Sequence, residues 1–89
     1  PVYSSDQPYL HKIISEFRKV ADEFDDKVLI GEVYVPMHKL LLYYGVNNDG
    51  VHLPFNFLLI QNDWDPVKLA SSIARYDRML PDNAWPTYV

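Results

Sequence analysis

Between residues 10 and 24 the apolar positions are Leu10, Ile13, Ile14, Phe17, Val20, Ala21 and Phe24, the three-and-four spacing of one helix face. Lys12, Glu16, Lys19 and Glu23 lie off that stripe and form the solvated side, where Glu16 and Lys19 add a little local support. Asp6 reads as the helix N-cap, with Pro8 in the first turn where a missing N–H costs little. The helix is expected to stop near Asp25 and Asp26.

Residues 27–35 (KVLIGEVYV) are apolar and β-branched without alternation, the pattern of a strand buried on both faces. Glu32 is the exception within it. Pro36 ends the strand, residues 37–44 suit a short helix, and Gly45 serves as its C′ residue. Residues 47–50 (NNDG) are a turn cluster. Residues 51–60 (VHLPFNFLLI) read as a second buried strand, although Pro54 argues against a regular interior one. Asp65 and Pro66 form a cap and first-turn pair, after which Leu69, Ala70, Ile73, Ala74, Asp77 and Leu80 keep helical spacing. Residues 81–83 are a loop, and residues 85–89 open a third strand. Strands alternating with helices imply right-handed βαβ units on a parallel sheet, an α/β fold. There is no linker, low-complexity tract or internal repeat, so residues 1–89 read as a single segment.

Composition narrows the picture. A chain of 89 residues is small for burying a core alone. At 48% hydrophobic and 22% charged it is nonetheless built to fold. A net charge of −4 without a basic stripe points away from nucleic acid and anionic membranes. No apolar run approaches the ~18 residues of a membrane helix. Without cysteine there is neither a disulfide nor a thiolate metal site. The chain starts at Pro1 with no signal-like stretch and stops inside an opening strand, so both ends read as cut from a longer protein. The sequence names no compartment, and a cytoplasmic one is the working expectation.

Glu32 carries the most chemistry. A carboxylate in a buried strand is costly unless it is paired, hydrogen-bonded or protonated. It lies in the last half of its strand, and in a βα barrel strand C-terminal ends face the active site. Gly31 leaves room beside it for a ligand or a neighbouring strand. A wall of Ile30, Val33 and Tyr34 would favour its protonated form near neutral pH and suit it to proton donation. On the pattern alone, an ion pair with a distant Arg or Lys is the competing account.

The chain resembles the α-amylase superfamily, glycoside hydrolase family 13, through several ordered stretches. GEVYVP at residues 31–36 resembles the family's strand-five motif, and residues 16–26 resemble its fourth barrel helix. Leu42-Tyr43-Tyr44-Gly45 resembles the stretch after the acid in the α-glucosidase and oligo-1,6-glucosidase branch. His52-Leu53-Pro54-Phe55-Asn56-Phe57 is similar to that branch's strand six. Leu80-Pro81 and Ala84-Trp85-Pro86 are similar to its approach to strand seven. The resemblance implies part of a (β/α)8 TIM barrel, from about helix four to the start of strand seven. It also implies a retaining mechanism on α-glucosidic bonds of short oligosaccharides, without a cofactor. Glu32 is then the general acid/base. Phe57 would wall the non-reducing sugar or pack in the core, and Tyr34 would face substrate or pack behind a helix. The nucleophilic Asp of strand four would lie upstream of Pro1, and the His-Asp pair of strand seven just beyond Val89. The isolated chain is accordingly expected to be inactive.

Other residues read as structural. His52 begins a strand, His11 and His38 lie on helix surfaces, and no two of the three His residues sit at a metal-ligand spacing with a carboxylate. Asp63 and Asp65 are loop and cap, Tyr43 and Tyr44 pack a helix, and Trp85 belongs to a loop. No phosphate loop, GxSxG elbow or Cys nucleophile occurs. A second functional class is a non-catalytic interaction module keeping a barrel sequence. Open edges of parallel strands call for a partner, either another copy or the rest of the barrel.

Overall fold

The computed structural model describes residues 6–89. Helix α1 spans Leu10–Asp22 and starts at Tyr9 without a side-chain cap. Asp6, expected in that role, instead accepts the Tyr43 hydroxyl at 2.6 Å and pairs with Lys39 at 3.3 Å. A carboxylate gains more from a cation and a phenol than from a single helix N–H, so the long-range partners prevail. The α1 stripe divides. Leu10, Ile14 and Ala21 are half-buried, while Phe17, Val20 and Phe24 are 63%, 55% and 58% exposed. Arg18 ties α1 inward, donating to the Gly50 carbonyl at 2.8 Å and to Asp22 at 3.0 Å.

Both predicted strands are shorter than their apolar runs. Strand β1 is Ile30–Gly31 and strand β2 is Leu53–Pro54, paired in parallel with Ile30 opposite Leu53 and Gly31 opposite Pro54. A parallel bridge from Asn56 to Tyr88 adds the start of a third extended segment. From Ile30 to Pro36 exposure alternates: Ile30, Glu32, Tyr34 and Pro36 face out, while Gly31, Val33 and Val35 are half-buried. The strand is therefore covered on one face, not two, and Glu32 is not buried. Among the described residues the Tyr44 core packs against the Val33 and Val35 side, and Glu32 and Tyr34 lie on the exposed side.

Pro54 is accommodated by the direction of its missing N–H. Leu53 and Phe55 donate toward β1, to Leu29 and Gly31, whereas Asn56 donates to Thr87 on the opposite side. The Pro54 position faces that opposite side before pairing has begun. Beyond it the expected strand gives way to helix α3, Leu58–Gln61. Asn56 causes the change: its side-chain oxygen accepts the Leu58 N–H at 2.9 Å, an Asx turn that bends the chain away.

Helix α2 (Met37–Leu40) runs directly into a 3-10 turn (Leu41–Tyr44). Gly45 ends it at φ 86, where a β-carbon would collide with Asp49 and the Gly50 backbone. Helix α4 (Pro66–Met79) begins as its sequence indicates, with Asp65 accepting from Val67 and Lys68 and Pro66 in the first turn. The core lies between these elements: Leu40, Tyr44 and Tyr76 are buried, with Val33, Val35, Met37, Leu80 and Tyr88 packed around them. Tyr44 gives its one hydroxyl hydrogen to the Trp85 carbonyl at 2.7 Å, so Tyr76, at 2.9 Å, must donate to Tyr44. Burial, reinforced by that donation, pushes the Tyr76 phenol far above its ordinary value. Burial also pushes the Tyr88 phenol up to about 12, with Asp77 accepting its hydroxyl.

His52 fastens the start of β2 to β1. Its Nδ1 accepts the Leu29 N–H at 3.0 Å, which places the imidazole proton on Nε2. Burial, aided by Arg18, lowers its pKa below 6.5.

Two consequences are measurable. Tyr44→Phe leaves the Trp85 carbonyl without its donor and Tyr76 without its acceptor, and is expected to cost ~1–3 kcal/mol in denaturant unfolding. The neutral form of His52 is favoured in the folded state, so its contribution is complete above pH 6.5. As pH falls through that value the unfolded chain takes the proton first, and stability is lost toward the lowered folded value. His52→Asn keeps an acceptor at the δ position and removes the titration. It is expected to flatten the fall in melting temperature below about pH 6.5.

Candidate functional site

Where β1 leaves its ladder, the chain stays extended through residue 35, and side chains two apart share a face. Glu32 and Tyr34 thus stand side by side, and the Tyr34 hydroxyl donates to Glu32 Oε1 at 2.7 Å. The Tyr34 ring lies on Phe57, with centroids 4.4 Å apart and planes 20° apart. Phe57 is met edge-on by Phe55 at 5.9 Å. Asn56 fixes this end of β2: it is 1% exposed, hydrogen-bonded through its backbone to Thr87 and Val89 and through its side chain to Leu58. Glu32, Tyr34 and Phe57, singled out by sequence from two separate runs, therefore form one cluster.

Their surroundings differ from expectation at the wall. The apolar wall around Glu32 does not form, because Ile30 and Tyr34 are 58% and 66% exposed. Val33 lies out of phase with Glu32 and packs toward the core. Of the two neighbours expected at Gly31, a ligand or a second strand, it is the chain entering β2 that fills the space: a β-carbon at Gly31 would stand 3.3 Å from Val51.

Glu32 and Tyr34 border a cavity of about 400 Å³, closed on other sides by Leu10, Ile14, Tyr43 and Val51. Asp6 is the second carboxylate on its wall. The Tyr43 hydroxyl, with Lys39 beside it, holds Asp6 below the usual carboxylate range, so this group is ionised and engaged. The Glu32 carboxylate, by accepting its hydrogen bond, raises the Tyr34 phenol above 10, which keeps Tyr34 a donor at neutral pH. A larger depression of about 570 Å³ lies on the far side of Tyr34, toward His38, Gln61, Asn62 and Arg75. Among the described residues no group of three or more His, Cys, Asp or Glu could hold a metal ion. His11 packs edge-on against Tyr43, His38 is exposed, and His52 is held by the backbone.

Chemically, the cluster offers one accessible carboxylate oriented by a phenol, beside an aromatic face. Carboxylate and aromatic surface together suit a neutral polyhydroxylated ligand, with the carboxylate placed to exchange a proton. Two participants carry signals that the sequence pattern understates. Asn56 sits in an apolar run, and its polarity there is the available signal. Asp6 carries a cap signature that conceals its partnership with Tyr43 and Lys39.

Along nearly its whole length the chain is similar to a segment of two known proteins. It is 26% identical over 98 aligned positions to Maltase A1 of Drosophila melanogaster, and 27% identical over 99 to an alpha-glucosidase of Culex pipiens. Each alignment takes in 99% of this chain and 17% of the relative, so the chain spans about a sixth of the length of these curated relatives. No protein-family model matches it. The chain is thus a distant relative of one stretch of a maltase and of an alpha-glucosidase, with the likeness spread along the stretch instead of confined to a single motif.

Proposed function

We propose that this chain is part of the (β/α)8 catalytic barrel of a retaining α-glucosidase of the α-amylase superfamily, from about its fourth helix to the start of its seventh strand. In this reading Glu32 is the general acid/base, and Phe57 and Tyr34 line the sugar site. The observation that carries it is the position of Glu32. It stands on an open face just past the C-terminal end of a parallel strand, with Phe57 brought to it from the next strand through Tyr34. Strand ends of that kind form the mouth of a βα barrel. The similarity to a maltase and an alpha-glucosidase along 99% of the chain supports the same assignment. The substrate is then an α-glucosidic oligosaccharide. Glu32 protonates the leaving oxygen and afterwards deprotonates the water that releases the sugar.

A retaining mechanism needs a second, free carboxylate ~5–5.5 Å from the first. Asp6 does not supply it, being bound to Tyr43 and Lys39. The nucleophile is assigned to the rest of the barrel, which would also cover the exposed side of α1 and the free edge of β1. The flat outline of the chain, 42 × 32 × 18 Å, suits a sector of a larger wall. Its radius of gyration is 13.8 Å, above the ~12 Å expected for a self-contained domain of this length.

The chain expressed alone is expected to leave maltose intact in a glucose-release assay. In the full-length protein Glu32→Gln is expected to lower kcat on maltose by ~10²–10⁴-fold. Full activity of that variant would overturn the assignment. Expressed alone, the chain is also expected to self-associate through its uncovered apolar surface, scattering light above its monomer mass of 10.4 kDa. Replacing Phe17 and Phe24 by Glu should reduce that association, and a monodisperse wild-type monomer would count against it.

A further inference from the structure

We infer that Tyr34 is a positioning residue for the Glu32 carboxylate, and that Phe57 holds Tyr34 in the orientation this requires. The inference rests on the reading of Glu32 as acid/base and adds a device for aiming its proton.

A glutamate on an open face has several rotamers, and proton transfer needs one of them. Here Glu32 is held through a single oxygen. Tyr34 reaches Oε1 at 2.7 Å, the length of a charge-assisted O–H to carboxylate bond. Among the described residues Oε2 has no hydrogen-bond partner, so it is the oxygen left to carry the exchanging proton. The donor is itself fixed. A tyrosine ring has two rotatable angles, and stacking on Phe57 at 4.4 Å and 20° restrains both. Phe57 follows Asn56, which is locked to Thr87 and Val89 on the third segment and to Leu58 at the start of α3. A line of support thus runs from the third segment through Asn56, Phe57 and Tyr34 to Glu32.

This arrangement works in both protonation states. When Glu32 is a carboxylate, Tyr34 donates to Oε1. When Oε2 carries the proton, Oε1 is a carbonyl-type oxygen and still accepts from Tyr34. In the first step the Oε2 proton passes to the departing glycosidic oxygen. In the second, Oε2 takes a proton from water. Tyr34 keeps its own hydrogen throughout. The other ionisable groups of this cavity, Asp6 and Tyr43, are hydrogen-bonded to each other, and Asp6 also pairs with Lys39. They do not compete for Glu32.

The test uses the full-length protein and three variants. Tyr34→Phe keeps the ring and its stacking and removes only the donor. It is expected to lower kcat on maltose by about tenfold or more, with KM changed less than about twofold. With 2,4-dinitrophenyl α-glucoside, whose leaving group needs no proton, the glycosylation defect should largely disappear. Phe57→Leu leaves the donor but not its support, and is expected to lower kcat on maltose in the same way by less. Glu32→Gln separates the two claims. If it remains active, the acid/base reading fails. If it is inactive while Tyr34→Phe and Phe57→Leu leave kcat on maltose unmoved, only the positioning role is overturned. A Tyr34→Phe defect of equal size in kcat/KM on both substrates would also overturn it, since glycosylation of the activated substrate needs no proton and an equal defect marks a structural loss.

Discussion

One phenolic oxygen joins the middle of this chain to its last helix and to the segment that follows it. Tyr44, at the end of the 3-10 turn, donates to the Trp85 carbonyl and accepts from Tyr76 of α4. Both partners must be present because the Tyr44 and Tyr76 side chains are buried, and an unpaired polar group there would be costly. The bond network therefore does more than add affinity between neighbours. It fixes the distance between the 3-10 turn, α4 and the chain leading to Tyr88, and Tyr88 pairs with Asn56. Leu40 and the half-buried Val33, Val35 and Met37 close around it. The segment that carries Glu32 alternates between this core and the open side, so the exposure of Glu32 follows from the burial of Val33 and Val35.

The apolar runs and the actual strands differ in length for a related reason. A run of β-branched residues states that a segment is willing to be extended. The length of the ladder depends on what lies alongside. Among the described residues β2 is the one strand paired with β1, which is ladder only at Ile30–Gly31 and continues beyond it outside the ladder. Residues 58–60 are as apolar as a strand interior, yet a single side-chain acceptor at Asn56 turns them into helix. Local chemistry at one polar residue outweighs the preference of its neighbours.

What could be read from sequence was what depends on near neighbours. Asp65 with Pro66 marks the start of α4, and Gly45 marks the end of the 3-10 turn, because caps and positive φ angles are settled within a few residues. Glu32 stood out because it interrupts its run. Tyr34 and Phe57 stood out because an aromatic ring near a strand end has a flat face to offer a ligand or the core. Their meeting was not legible, since nothing in either run states the parallel register that brings residue 57 to residue 34. The misreadings share one origin. Burial of Glu32 and capping by Asp6 were inferred from adjacent residues, while both were decided by surfaces distant in sequence: an open sheet face for the first, Tyr43 and Lys39 for the second.

The close approach of Val51 to Gly31 limits how this sequence can change over evolutionary time. Any side chain at position 31 would press on Val51, which lies two residues before β2 and is tied by its N–H to the Tyr43 carbonyl, so relief at position 31 would shift the strand and with it the next residue, Glu32. Positions 31 and 51 are consequently free to drift only as a pair, a larger residue at one being admitted by a smaller one at the other. Among descendants of this sequence, covariation between these two positions would record a steric constraint, even though neither takes any part in the chemistry.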